Sequence, residues 1–297
     1  MRRIYCIFLL VIVVVSGCKK IYPNPDIPSY IYLSEFTYAP NATVDTSGSK
    51  SSSIENVWVY ANNQFIGAFV LPAKIPILEK GNVSLSIRPG IKQNGIANTR
   101  ISYPFYRPFT DTLELYPDSV LPITLKTSYF DYIKLPFNEY FEKNTINFEQ
   151  YTSGVGVNIK RSSTMSKDYF EGTDSGEILL TGKDSLLDIQ STRSFLLPIG
   201  GREVYLEINF KSPIPFDFGL VSTSFTGTTK SVIYTFNPSY DDNGVLIWKK
   251  IYIDMAPVIT QNSSATGHRI YFKGTQSSTA APARIFLDNI KVVHVTQ

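Results

Sequence analysis

The strongest constraint on what this chain can fold into is the spacing of its apolar residues. They alternate at period two in short runs, with scarcely any helical periodicity between them. YIYLSEFTY, from Tyr30 to Tyr38, alternates in this way and uses the aromatic and β-branched side chains that suit a pleated, half-buried strand. NVWVYANNQFIGAFVL reads as two such strands, with Ala61-Asn62-Asn63-Gln64 as a hairpin turn because Asn tolerates positive φ. The polar stretch 41–53 is a loop, Gly81-Asn82 makes a second turn, and a third pair, DTLELYPDS and LPITLKTSYF, bends at Pro117-Asp118-Ser119. These signals predict an antiparallel β-sandwich over residues 29–128, an ordinary domain size.

Residues 129–147 are the one stretch where a helix is conceivable, because Phe137, Tyr140 and Phe141 fall at i, i+3 and i+4. The domain boundary is placed there, with the aromatics at the seam. From Phe148 to Gln297 come eight apolar segments separated by Gly, Ser, Asp, Asn and Pro, a count and spacing that fit a two-sheet jelly roll. The fold class expected is therefore all-β, two consecutive antiparallel β-sandwiches, the second a jelly roll. Three segments carry a resemblance: the opening Phe148-Glu149, the central WKKIYID from Trp248 to Asp254, and the closing IFLDNIKV from Ile285 to Val292. They resemble the galactose-binding-like jelly rolls that occur as carbohydrate-binding modules and as accessory domains of secreted enzymes. By that resemblance a structural calcium ion would take Glu149 and Asp288 as ligands, within the six to eight oxygens this ion prefers. The alternative is that Asp288 only bonds neighbouring backbone.

The N-terminus carries a different message. Arg2 and Arg3 precede an apolar run from Ile4 to Val15, too short to span a membrane and of the length of a signal-peptide core. Val15-Ser16-Gly17-Cys18 resembles the lipobox of bacterial lipoproteins, in which the cysteine thiol is acylated and becomes the first mature residue. Residues 1–17 are then a lipoprotein signal peptide and 18–28 a lipidated, proline-rich tether. Acyl chains on Cys18, palmitate among them, would hold the protein on a membrane. Inner-membrane lipoproteins carry Asp after the cysteine, and this chain has Lys19, so the resemblance favours the outer membrane. Surface-exported lipoproteins of Bacteroidota often have acidic residues there; KKIYPNP leaves the periplasmic and surface faces both open.

Composition narrows the chemistry. Only Cys6 accompanies Cys18, and it lies within the predicted signal, so disulfides and Cys-metal sites drop out of the mature chain. Losing Arg2 and Arg3 lowers the formal charge from +3 to near neutrality, which argues against nucleic acid as a partner. Two histidines, His268 at a turn and His294 in the last strand, make no zinc motif, and there is no nucleophile elbow or phosphate loop. No spacing singles out a glycosidase carboxylate pair. The expectation is a non-catalytic, outer-membrane-anchored lipoprotein without a cofactor that recognises a glycan or another component of the cell envelope. The alternatives are an assembly subunit of an envelope complex and, third, a hydrolase accessory protein or glycosidase. Aromatic platforms for sugar stacking are Trp248, Tyr240 in PSYDDNG, and Tyr103, Phe105 and Tyr106 in SYPFYRPF. Pro104 and Pro108 keep this last cluster out of a central strand, so it either covers a sheet edge or forms an exposed contact patch. Trp58 and Trp248 are each either core or platform.

Overall fold

In the computed structural model, which describes residues 27–46, 48–277 and 279–296, the period-two runs become strands of two sandwiches. The predicted signal, Cys18 and most of the tether lie outside the described residues. Among those described, no helix is long and apolar enough to cross a membrane.

The first sandwich uses β1 (Ser29–Tyr38), β2 (Asn56–Ala61), β3 (Gln64–Val70), β4 (Ala73–Ile77), β5 (Gly81–Lys92), β6 (Arg100–Ser102), β7 (Phe109–Leu115) and β8 (Val120–Thr127). One sheet has the order β4-β1-β8; the other runs β3-β2-β5-β6, with β7 also on β5. Ile31 and Leu33 of β1 meet Val57 and Val59 of β2 and Leu85 and Ile87 of β5 in the core between them. Each such side chain contributes about 1.5–3 kcal/mol by leaving water. The hairpin turn is as expected, with Asn62 at φ 48 and Asn63 at φ 65. The third pair is not a hairpin. Its turn exists, with Asp118 at φ 59, but β7 pairs with β5 while β8 crosses to the other sheet and runs parallel to β1. Leu113 and Leu125 can then face one core from opposite layers.

The second sandwich follows with β9 (Ile133–Glu139), β10 (Phe148–Gln150), β11 (Lys160–Arg161), β12 (Gly176–Leu180), β13 (Leu186–Ser191), β14 (Val204–Lys211), β15 (Phe216–Ser224), β16 (Gly227–Phe236), β17 (Lys249–Asp254), a short helix α1 (Ala256–Gln261), β18 (Gly267–Thr275) and β19 (Ala283–Val295). The sheet β10-β13-β18-β15-β16 faces β11-β12-β19-β14-β17 across a core that includes Leu206, Ile208, Leu220, Phe272 and Leu287.

Two local expectations are corrected here. Segment 129–147 holds no helix; it supplies β9, which pairs antiparallel with β19 of the second sandwich. Leu135 and Pro136 bulge opposite Val293, so the missing proline N–H interrupts no ladder, and Phe137 and Phe141 enter the second core instead of a seam. Among the described residues the α-helix that does form is α1, a proline-started turn and a half.

The two sandwiches share a third buried layer. The face of β14, β17 and β19 turned away from the second core carries Tyr205, Glu207, Lys250, Tyr252, Lys291 and Val293. Tyr38, Tyr103, Phe105, Tyr106 and Tyr129 of the first sandwich cover it.

Candidate binding cleft between the sandwiches

Strand β17 is an edge strand, since β14 lies on one side of it only. Its far edge is capped at one end by the first sandwich: Asn94 N donates to the Tyr252 carbonyl at 2.8 Å and Asp254 N donates to Asn94 Oδ1 at 2.9 Å. Backbone direction alternates along a strand, so the N–H and C=O of Lys250 point to that same edge, beyond the cap. Here a cleft of about 520 Å³ opens between the sandwiches. Ser53, Glu55, Lys92 and Gly95 line one wall, and Tyr234, Asn237, Trp248, Lys249, Lys250 and Tyr252 form much of the other. Gly95, at φ 67, permits the close approach, because a Cβ there would stand 2.9 Å from Ile251 Cδ1.

The aromatic rings are held in place by their surroundings. Trp248 is half-buried; its Nε1 donates to Asp168 Oδ1 at 3.0 Å, and Phe170 meets it edge-on at 5.9 Å. Asp168 is held in turn by Lys211, 2.7 Å away. Tyr234 packs edge-to-face on Phe236 at 5.2 Å, and burial raises its hydroxyl pKa. On the other wall Glu55 is occupied on both oxygens, by Lys92 Nζ at 2.5 Å and Ser53 Oγ at 3.2 Å. Lys249 Nζ donates to the Tyr240 carbonyl at 2.9 Å.

Behind this wall lies a layer of buried charge. Glu207, fully buried, accepts from Tyr103 at 2.7 Å, Tyr129 at 2.8 Å and Tyr106 at 3.5 Å, and Lys250 Nζ stands 3.5 Å from it. Burial, then the Glu207 charge, drives the hydroxyl pKa of Tyr103, Tyr106 and Tyr129 well up. The Lys250 ammonium has no hydrogen-bond partner among the described residues, and burial pulls its pKa down to about 8 against the opposing attraction of Glu207. Lys291 and Asp45, both fully buried, form an ion pair joined by the Tyr38 hydroxyl at 3.1 Å from Asp45.

The aromatic residues expected as platforms separate. Trp248 is in the cleft wall. Tyr240 is exposed beside the cleft, tied to it through Lys249. Tyr103, Phe105 and Tyr106 are buried in the layer between the sandwiches, so as ligand platforms they are corrected: the proline-broken loop covers a sheet face with these three rings out of solvent. Trp58 is half-buried on the outer face of β2 and lies over Gly90.

The two carboxylates of the calcium expectation do not converge. Glu149, in β10, pairs with Arg269 at 2.5 Å and accepts from Gln190 at 3.2 Å. Asp288, in β19 of the opposite sheet, is buried and accepts the backbone N–H of Asn289 at 2.7 Å and those of Phe170 and Glu171 at 3.3 and 3.4 Å. Burial pushes its carboxyl up to about 8. Among the described residues no group of three or more His, Cys, Asp and Glu is placed to hold a metal ion. His268 is corrected from a turn to strand β18, where its Nδ1 meets Ser222 Oγ at 3.0 Å. Sequence reasoning missed Lys92, Tyr234, Lys249 and Lys250 as cleft residues. Consecutive lysines opening a strand were the available signal, since exposed edge strands are often guarded by lysine.

No protein-family model matches this chain, and no relative is found among curated proteins. Several solved structures share its outline in part. The family 11 carbohydrate-binding module of a cellulosomal cellulase of Clostridium thermocellum is 16% identical, covering 54% of this chain and 96% of its own, with a TM-score of 0.34. The family 11 module of that organism in complex with a β-1,3-1,4-mixed-linked tetrasaccharide is 16% identical over 56% and 97%, with a TM-score of 0.35. A family 29 carbohydrate-binding module is 17% identical over 55% and 88%, with a TM-score of 0.32. At these scores the likeness assigns neither ligand nor activity to this chain, whose own residues show two β-sandwiches joined by a buried tyrosine layer with a cleft along its edge.

Proposed function

We propose that this protein is a non-catalytic glycan-binding protein, held on the outer membrane by lipid on Cys18, with the cleft along β17 as its binding site. The observation that carries the reading is the pairing, in one cleft, of the Trp248 and Tyr234 rings with the polar groups of Ser53, Asn237 and Lys249. Sugar rings stack their apolar faces on such aromatics while their hydroxyls meet polar neighbours, the usual composition of a small-molecule site. Trp248 is braced by Asp168 and Phe170, so it offers a platform of low conformational freedom.

Full-length protein in detergent, applied to a glycan array, should bind at least one oligosaccharide, and Trp248→Ala should lose it. Silence across a broad array overturns the reading. Cys18→Ser should leave the membrane fraction; a variant that stays membrane-bound removes the anchor. A second reading, an assembly subunit of an envelope complex, is favoured by Phe225, 97% exposed at the tip of the β15–β16 hairpin. Stoichiometric co-purification of another envelope protein, lost in Phe225→Ser, would support it.

A further inference from the structure

We propose that the cleft takes an anionic saccharide, one bearing carboxylate or sulfate groups. The inference rests on the glycan reading and names the chemical class of the ligand. It follows from the donors and acceptors of the lining. A neutral sugar hydroxyl both donates and accepts, so sites for neutral glycans need free acceptors as well as donors.

This lining is poor in charged acceptors. Its one carboxylate, Glu55, already receives Lys92 and Ser53. Three lysines, Lys92, Lys249 and Lys250, line the cleft against this one carboxylate. Among the described residues no carboxylate pairs with Lys249, whose Nζ rests on a neutral carbonyl. The strand edge adds the Lys250 N–H as a donor and the Lys250 C=O as a neutral acceptor, both directed outward beyond the cap formed by Asn94.

Lys250 itself is a buried ammonium with no hydrogen-bond partner among the described residues. Glu207 balances its charge from behind, at 3.5 Å, but the Glu207 oxygens are already shared with three tyrosine hydroxyls. Glu55 offsets Lys92 and Glu207 offsets Lys250, so Lys249 is left facing the cleft as net positive charge, beside rings that can stack a pyranose. A charge-assisted hydrogen bond to an acid group is the strongest contact these side chains can make.

Calorimetric titration of the full-length protein in detergent separates the possibilities with three probes: oligogalacturonate for carboxylate, chondroitin sulfate oligosaccharides for sulfate, and cello-oligosaccharides as the neutral control. At least one anionic probe should bind about tenfold or more tighter than the neutral one, the scale of one hydrogen bond to a charged group. Lys249→Met should weaken it by about tenfold, Lys249→Arg should restore most of the affinity, and added salt should weaken binding further. If carboxylate binds and sulfate does not, or the reverse, the acid group is identified and the proposal stands. If the neutral probe binds as well as both anionic ones, the anionic assignment fails and the glycan reading survives. If no saccharide binds, both fall.

Discussion

Burying Glu207 beneath the first sandwich takes a carboxylate out of water, which is tolerated only where donors replace the lost hydration. Three tyrosine hydroxyls do so here, and the Lys250 ammonium 3.5 Å away balances the charge. Glu207→Leu would strand Tyr103 and Tyr129 without their acceptor and Lys250 without its counter-charge, and the expected loss of unfolding free energy in urea is about 3–5 kcal/mol. A loss below about 1 kcal/mol would mean that these groups re-pair with one another. Asp288 gives a second test at this scale. Burial holds its carboxyl near 8, aided by the Glu142 charge and opposed by three backbone N–H groups, whereas an unfolded Asp ionises near 4. Between these values the folded state keeps a proton that the unfolded chain has released. The Asp288 contribution is thus fully present below about pH 4 and is lost as pH rises towards 8. Asp288→Asn has no proton to lose, so its stability measured by urea at pH 5 and pH 8 should fall less over that interval than that of the parent. Parallel pH dependences would refute the assignment.

Strands and turns follow the same physics one level up. The β2–β3 hairpin needs two consecutive left-handed residues, which Asn62 and Asn63 supply. Asn63→Val should cost about 1–2 kcal/mol by thermal or urea denaturation, because a β-branched residue resists positive φ. An unchanged midpoint would show that the turn relaxes into another type. This hairpin was legible because both its alternation and its turn chemistry are local. The β7–β8 turn was legible too, but not its partners: a turn at Pro117-Asp118-Ser119 is compatible with strands that pair and with strands that cross between sheets. Strand β9 was missed for another reason. Phe137, Tyr140 and Phe141 match a helical face, and only the open edge of β19 made an extended strand, bulged at Pro136, the better use of them.

Across the whole molecule, the shared tyrosine layer couples the sandwiches. Tyr38, Tyr103, Phe105, Tyr106 and Tyr129 contact Tyr205, Tyr252 and Val293 in one cluster, while Asp45 pairs with Lys291 beneath it. Separating the halves would expose these rings and leave ions without partners, so the described region should unfold in a single transition by calorimetry, with circular dichroism and tyrosine fluorescence coincident. Two resolved transitions would contradict this coupling. The same layer sets the position of the cleft: β17 is covered by the first sandwich at Tyr252 and Asp254 and left open at Lys250.

From its sequence alone this chain was bound to be β-structured, because alternation and turn residues act over a few positions and need no distant partner. Trp248 and Tyr240 also stood out as rings available for binding. Only the tertiary structure decided which outward faces remain outward. In β14 the alternation of Tyr205, Glu207 and Asn209 with Leu206 and Ile208 reads as a solvent face against a core face, yet both are buried, since a second sandwich docks on the first. Period two separates the two faces of a strand; it carries no information about what, other than water, meets the second one.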